Sequence, residues 1–182
     1  MNSSRFPAYL SLLLPLVFFA GLLVVIWKNP WFSFTDNALS DMGSLHNPHR
    51  WYFNGFLMIF ATIGFIASVG MLRRGLSYLM PLAMICLFLV GVFPEEHPLH
   101  LPLAVLTYLL ALADVVIVGV KLGRAGTGAG YLWSGLAVLT LAVMIILIEK
   151  GVFRGLAIPE LIGVLTVLAW FVYLGLLQLR GK

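Results

Sequence analysis

Six stretches of this chain stay apolar for about as long as a bilayer is thick, and that feature alone removes most folds from consideration. They run approximately over residues 8–27, 51–72, 76–93, 101–120, 132–149 and 157–178. A hydrocarbon core needs roughly 20 predominantly apolar residues of helix, because each backbone N–H and C=O must be satisfied where water cannot reach it. A membrane barrel would meet the same demand with strands, but its lumen imposes an alternation of polar and apolar residues that these runs lack. Composition agrees: 62% of the 182 residues are hydrophobic and 10% are charged, against about a quarter charged in an ordinary soluble domain. The expectation is an all-α integral membrane bundle of six transmembrane helices. No Pro/Gly/Ser-rich linker or charge block divides the chain, so residues 1–182 read as a single domain.

The first apolar run follows Arg5 and extends from Ala8 to Trp27. A secretory signal has a shorter core of roughly 7 to 15 residues, so this run reads as a retained helix. The Asn2-Ser3-Ser4 sequon reads as accidental. Pro15 and Pro81 fall inside runs and are expected to kink them, whereas Pro102 and Pro159 fall in first turns, where a missing N–H costs little.

An even number of spans places both termini on one side. That side then holds Arg5, Arg73, Arg74, Lys121, Arg124, Arg180 and Lys182, seven basic residues with no acid. The opposite side holds four basic residues, Lys28, Arg50, Lys150 and Arg154, with six of the seven acids. By the positive-inside rule the first side is cytoplasmic, giving a multi-pass protein of the plasma membrane with both termini inside.

The outer side also holds all four histidines, His46, His49, His97 and His100. The first loop carries aromatic residues suited to the headgroup level, then Asn37-Ala38-Leu39-Ser40-Asp41-Met42-Gly43. Asn54 lies about one turn into the second span, where an amide facing lipid would be costly, so it is expected to face the polar outer loops. Between spans three and four, Phe93-Pro94-Glu95-Glu96-His97-Pro98-Leu99-His100 makes a turn too short to leave the membrane surface by much. If the fourth helix starts near Pro98, His97 and His100 converge. With a nearby carboxylate they then suit a zinc or other divalent metal site that keeps a position open for water, His100, Asp41 and His97 being the candidate ligands. Ordinary loop histidines at a lipid–water boundary explain the same spacing. Glu160 beside Pro159 reads as a carboxylate favoured by a helix N-terminus. Asp114, about 21 Å along a helix from His100, belongs to no outer cluster; it either pairs, marks an ion path or reaches the inner surface.

Other patterns exclude more than they suggest. Cys86 is the lone cysteine, so no disulfide framework exists within one chain. A net charge of +4, dispersed among apolar segments, makes no nucleic-acid stripe. Gly126-Thr127-Gly128-Ala129-Gly130 lacks the strand that precedes a phosphate-binding loop, and no Gly-x-Ser-x-Gly or His-Glu-x-x-His motif occurs. Gly119 and Gly123 form a small-xxx-small pair suited to close helix packing, and a homo-oligomer is compatible with the composition.

The segments Asn37-Ala38-Leu39-Ser40-Asp41-Met42-Gly43 and Gly91-Val92-Phe93-Pro94-Glu95, followed by His100, resemble the six-span prokaryotic membrane family catalogued as domain of unknown function 998. The likeness covers nearly the whole chain. More remotely, the arrangement is similar to the Frag/DRAM/Sfk membrane proteins, some of which are linked to lipid-anchor remodelling. Carried over residue by residue, the resemblance singles out Asn37, Ser40, Asp41, Gly43, Asn54, Pro94, Glu95 and His100, and passes over His46, His49 and His97. Two functional classes follow. In one, Asp41, Glu95 and His100 form a catalytic site that activates water against a lipid headgroup, with or without a metal, while Ser40 and Asn54 orient the substrate. In the other, the same cluster is a structural lock in a transporter, channel or lipid-binding scaffold.

Overall fold

Helices form where the apolar runs lead them, because inside a membrane only an element that bonds its own backbone is stable. The computed structural model describes residues 5–180, so Asn2-Ser3-Ser4 and Lys182 lie outside the described residues. The described residues form six α-helices: α1 (Phe6–Lys28), α2 (Arg50–Leu72), α3 (Met80–Val92), α4 (His100–Arg124), α5 (Ala129–Glu149) and α6 (Ala157–Leu179). A 3₁₀ turn (Leu39–Gly43) interrupts the first loop, and no strand occurs among the described residues. Five of the helices are long and apolar enough to cross a membrane. Large apolar side chains also point outward from the bundle, among them Leu23 and Leu132 at 67% and 76% exposed. That pattern suits lipid as the surrounding solvent and not water.

The third helix is the exception. It covers 13 residues, about 20 Å, where the apolar run from residue 76 to 93 predicts a full span. Residues 76–79 are non-helical, and Asp114 of α4 bonds the end of this segment just before α3: its Oδ1 accepts from the N–H groups of Tyr78 and Leu79 at 2.6 and 2.7 Å. Pro81 therefore stands in the first turn of α3 and does not kink a longer helix. The fourth helix begins at His100 and not near Pro98, and it runs on through Lys121 and Arg124, which belong to its last turns and not to a loop.

Each helix packs on the next, and α6 returns to α1, closing a ring. The closest approach between α4 and α5 uses the small residues at their crossing. A Cβ on Gly130 would collide with the Gly119 carbonyl and the Gly123 amide, so only glycine lets the two backbones meet there.

The two ends of the ring are built differently. At one, three loops interlock: the N–H of Gly155 donates to Thr35 O and that of Ala157 to Asn37 O, both at 3.0 Å, and the Ser44 hydroxyl donates to Glu96. At the other, besides Asp114, Lys121 Nζ donates to Gly75 O at 2.7 Å and to the Tyr78 hydroxyl at 2.8 Å. Asp114 is fully buried, so its carboxylate does not reach the surface; Oδ1 is paired with backbone N–H groups, while Oδ2 has no hydrogen-bond partner among the described residues.

Candidate functional site

The first loop is shaped by short polar side chains bonding to backbone, as Asn and Asp do in turns. Asp41 Oδ2 accepts from Asn37 Nδ2 at 3.0 Å and from the Ala38 N–H at 3.1 Å, capping the 3₁₀ turn from within. Asn47 Nδ2 donates to Met42 O at 2.6 Å and to Asn29 Oδ1 at 2.8 Å, tying the turn to the end of α1. From α2, Asn54 Nδ2 donates to Gly43 O at 3.2 Å, and any Cβ at Gly43 would strike the Asn54 amide. Asn54 thus faces the outer-loop backbone, buried beneath it.

So pinned, the turn sets Leu39 and Ser40 over a chamber inside the ring. The chamber has a cavity volume of about 70 Å³, and every helix except α5 contributes to its wall. Most of that wall is apolar, with Phe18, Phe53 and Phe60 prominent. Its polar members are Ser40, His100, Thr107, Tyr108 and Glu160. A narrower void beneath shares Phe60, Leu87, Thr107, Tyr108 and Val164 and carries the space down to Ala111 and Leu168.

His100 is 8% exposed. Its Nδ1 lies 2.7 Å from Phe93 O; a carbonyl oxygen only accepts, so Nδ1 carries a hydrogen, and in the neutral form of the ring the lone pair is on Nε2. Glu160, in the first turn of α6, accepts the Leu39 N–H at 2.8 Å, and its backbone carbonyl accepts from the Tyr108 hydroxyl at 3.1 Å.

On the solvent side of the same turn lie Asp41 and Glu95, with the Ser40 hydroxyl beside the Glu95 carboxyl. Loss of water around Glu95, then the negative charge of Asp41, push its carboxyl up to about 7. At the rim, bonds from Ser44 and from the Leu45 N–H hold Glu96 below the usual carboxylate range, and bonds from Ser33 and Thr35 do the same for Asp36.

The expected zinc set is not assembled. Among the described residues no three His, Cys, Asp or Glu side chains gather to hold an ion. His97 lies in the turn before α4, stacked on Phe93 at 4.5 Å between ring centroids, with Nδ1 accepting the Leu99 N–H at 3.2 Å. Asp41 is engaged in capping its own turn. His46 and His49 stay exposed at the surface.

Of the residues singled out by sequence, Ser40 and His100 thus meet at the chamber, Asp41 and Glu95 meet outside it, and Asn54 braces the turn between. Glu160, Thr107 and Tyr108 are chamber residues that the sequence reading did not place there. A signal existed, since His100, Ala104, Thr107, Tyr108 and Ala111 recur at helical spacing and so share one face of α4.

Apolar helices closed into a ring around a chamber define an all-helical membrane protein. Residues 12–177 match the family described as "Protein of unknown function (DUF998)", and the chain belongs to that family. No curated protein and no solved structure matches it.

Proposed function

We propose that all six helices sit in the plasma membrane with both termini cytoplasmic, and that the chamber end of the ring binds a membrane lipid by its headgroup. The observation that carries this reading is the chamber itself: apolar walls between the helices, with His100, Ser40 and Glu160 among its polar members. Ligand sites commonly combine mostly apolar lining with a few convergent polar groups. A lipid seated there would have its polar bonds within reach of His100 Nε2, a lone pair suited to take a proton from water or a hydroxyl. Hydrolysis of the bound lipid is the enzymatic form of this reading.

One observation favours the structural-lock alternative for part of the cluster. Asp41, Asn54 and Glu160 each spend at least one bond on the backbone of the first loop. A residue that holds a loop need not touch a ligand.

Native mass spectrometry of the protein released from its own membrane tests the binding reading. A lipid of defined mass should stay bound to wild-type protein and be lost in Val164→Trp, which fills the chamber wall. Equal retention by both would sink the reading. The orientation is tested separately: because Cys86 is buried, new cysteines at Arg154 and Arg124 can be probed with an impermeant maleimide. Labelling of Arg154→Cys from outside and of Arg124→Cys only after lysis is expected, and the reverse pattern would turn the protein over.

A further inference from the structure

The polar end of the chamber has a chemical bias. No Lys or Arg lines it. The Thr107 hydroxyl hydrogen is committed to Leu103 O at 2.8 Å and that of Tyr108 to the Glu160 carbonyl at 3.1 Å. His100 commits its ring hydrogen to Phe93 O. What each of these groups has left to offer is a lone pair. A carboxylate at Glu160 accepts only, and with Oε2 on the Leu39 N–H its Oε1 has no partner among the described residues. His100 Nε2, on a side chain more than nine-tenths buried, likewise has none.

A phosphate or carboxylate headgroup would bring more acceptors, and more negative charge, into this surrounding. A head rich in donors and positively charged would complete it, because an unpaired charge in a poorly solvated site is strongly unfavourable. We propose that the chamber takes the hydrocarbon chain of a long-chain primary amine, its ammonium bound by Glu160 and His100. The inference rests on the reading that a lipid occupies the site. An ammonium has three donors, and the unpaired acceptors at Glu160 Oε1 and His100 Nε2 each take one. The chain then runs down α4 from His100 to Ala111, a rise of about 16 Å, along the lower void to Leu168.

The test uses the full-length protein in lipid nanodiscs and a long-chain primary amine bearing a diazirine at the far end of its chain. On illumination, labelling should map to Ala111, Leu168 and their neighbours. Unlabelled long-chain amine should compete, and an alkyl phosphate of the same length should not. Glu160→Gln keeps the shape and removes the charge, and is expected to cut labelling about tenfold. Should that variant fail to fold, Glu160→Asp, which keeps the charge but shortens its reach, takes its place with the same expected loss. Competition by the phosphate equal to that by the amine, or undiminished labelling of Glu160→Gln, overturns the amine head and leaves lipid binding standing. If neither the amine probe nor a matching phosphate probe labels the chamber, lipid binding at this site falls as well.

Discussion

Asp114 and Glu160 are both carboxylates within helices of an apolar bundle, and both accept backbone N–H groups, yet they sit in opposite circumstances. Asp114 Oδ1 takes two N–H bonds in a fully packed setting and ends a helix that is not its own. Glu160 takes one, and the residue lines the chamber together with His100 and Ser40. The same group therefore serves as a cap where packing surrounds it and as a candidate recognition element where packing is withheld. Intramembrane acids are expensive in either case; what separates the two is whether protein closes around the whole residue or leaves it on a chamber wall.

The largest effect is expected at Asp114. Asp114→Ala strands the Tyr78 and Leu79 amides and should cost about 3 kcal/mol, read as a marked drop in the detergent-solubilised melting temperature. Asp114→Asn, which keeps an acceptor oxygen, should lose less. An unchanged melting point for Asp114→Ala would remove the contrast with Glu160.

A smaller effect is expected where α2 braces the 3₁₀ turn. Gly43→Ala drives a methyl into the Asn54 amide and should cost roughly 1–3 kcal/mol. Asn54→Ala alone leaves Gly43 O short of a partner, at roughly 1–2 kcal/mol. The double variant relieves the collision, so its loss should fall below the sum of the two. Simple additivity in the melting data would mean that the two residues do not act as a unit.

The smallest effect concerns Glu95. Its folded-state value of about 7 lies above its ordinary 4.5, so between those limits the folded chain binds more protons than the unfolded one. Stability is then fullest below about pH 4.5 and declines as pH rises through 7. The group is largely exposed, and the decline should be modest. Melting curves at pH 5, 6, 7 and 8 should show it in wild type, and Glu95→Gln should flatten it. An equal slope in both would assign the pH dependence elsewhere.

Most of the fold was legible because apolar length states directly what a bilayer demands. The boundaries of five helices fall close to the apolar runs. The third does not, because residues 76–79 read as part of an apolar run without being helical, and the group bound to their amides is 35 residues away at Asp114. Apolarity reports burial, not conformation. At the site, the Asn37–Gly43 segment and His100 stood out because polar residues are rare in this chain. Glu160 did not, since an acid after a proline at a helix start has a sufficient local explanation, and only ring closure brings it to the chamber. His97 misled for the converse reason: the spacing to His100 looked like convergence, but the helix starts at His100, two residues later than that geometry needs.

The shortness of α3 bears on the membrane around the protein as well as on the protein. With all six helices in the membrane as proposed, a helix of about 20 Å in a core of about 30 Å leaves a third of the thickness on that flank to residues 73–79, where Lys121 bonds the Gly75 carbonyl. Lipids next to it have no continuous apolar cylinder to match. They must compress toward the shorter wall or admit headgroups and water into the notch. One sector of this ring should therefore deform the leaflet on the Asp114 side while its neighbours leave it flat, making the protein a point of local curvature whether or not anything occupies its interior.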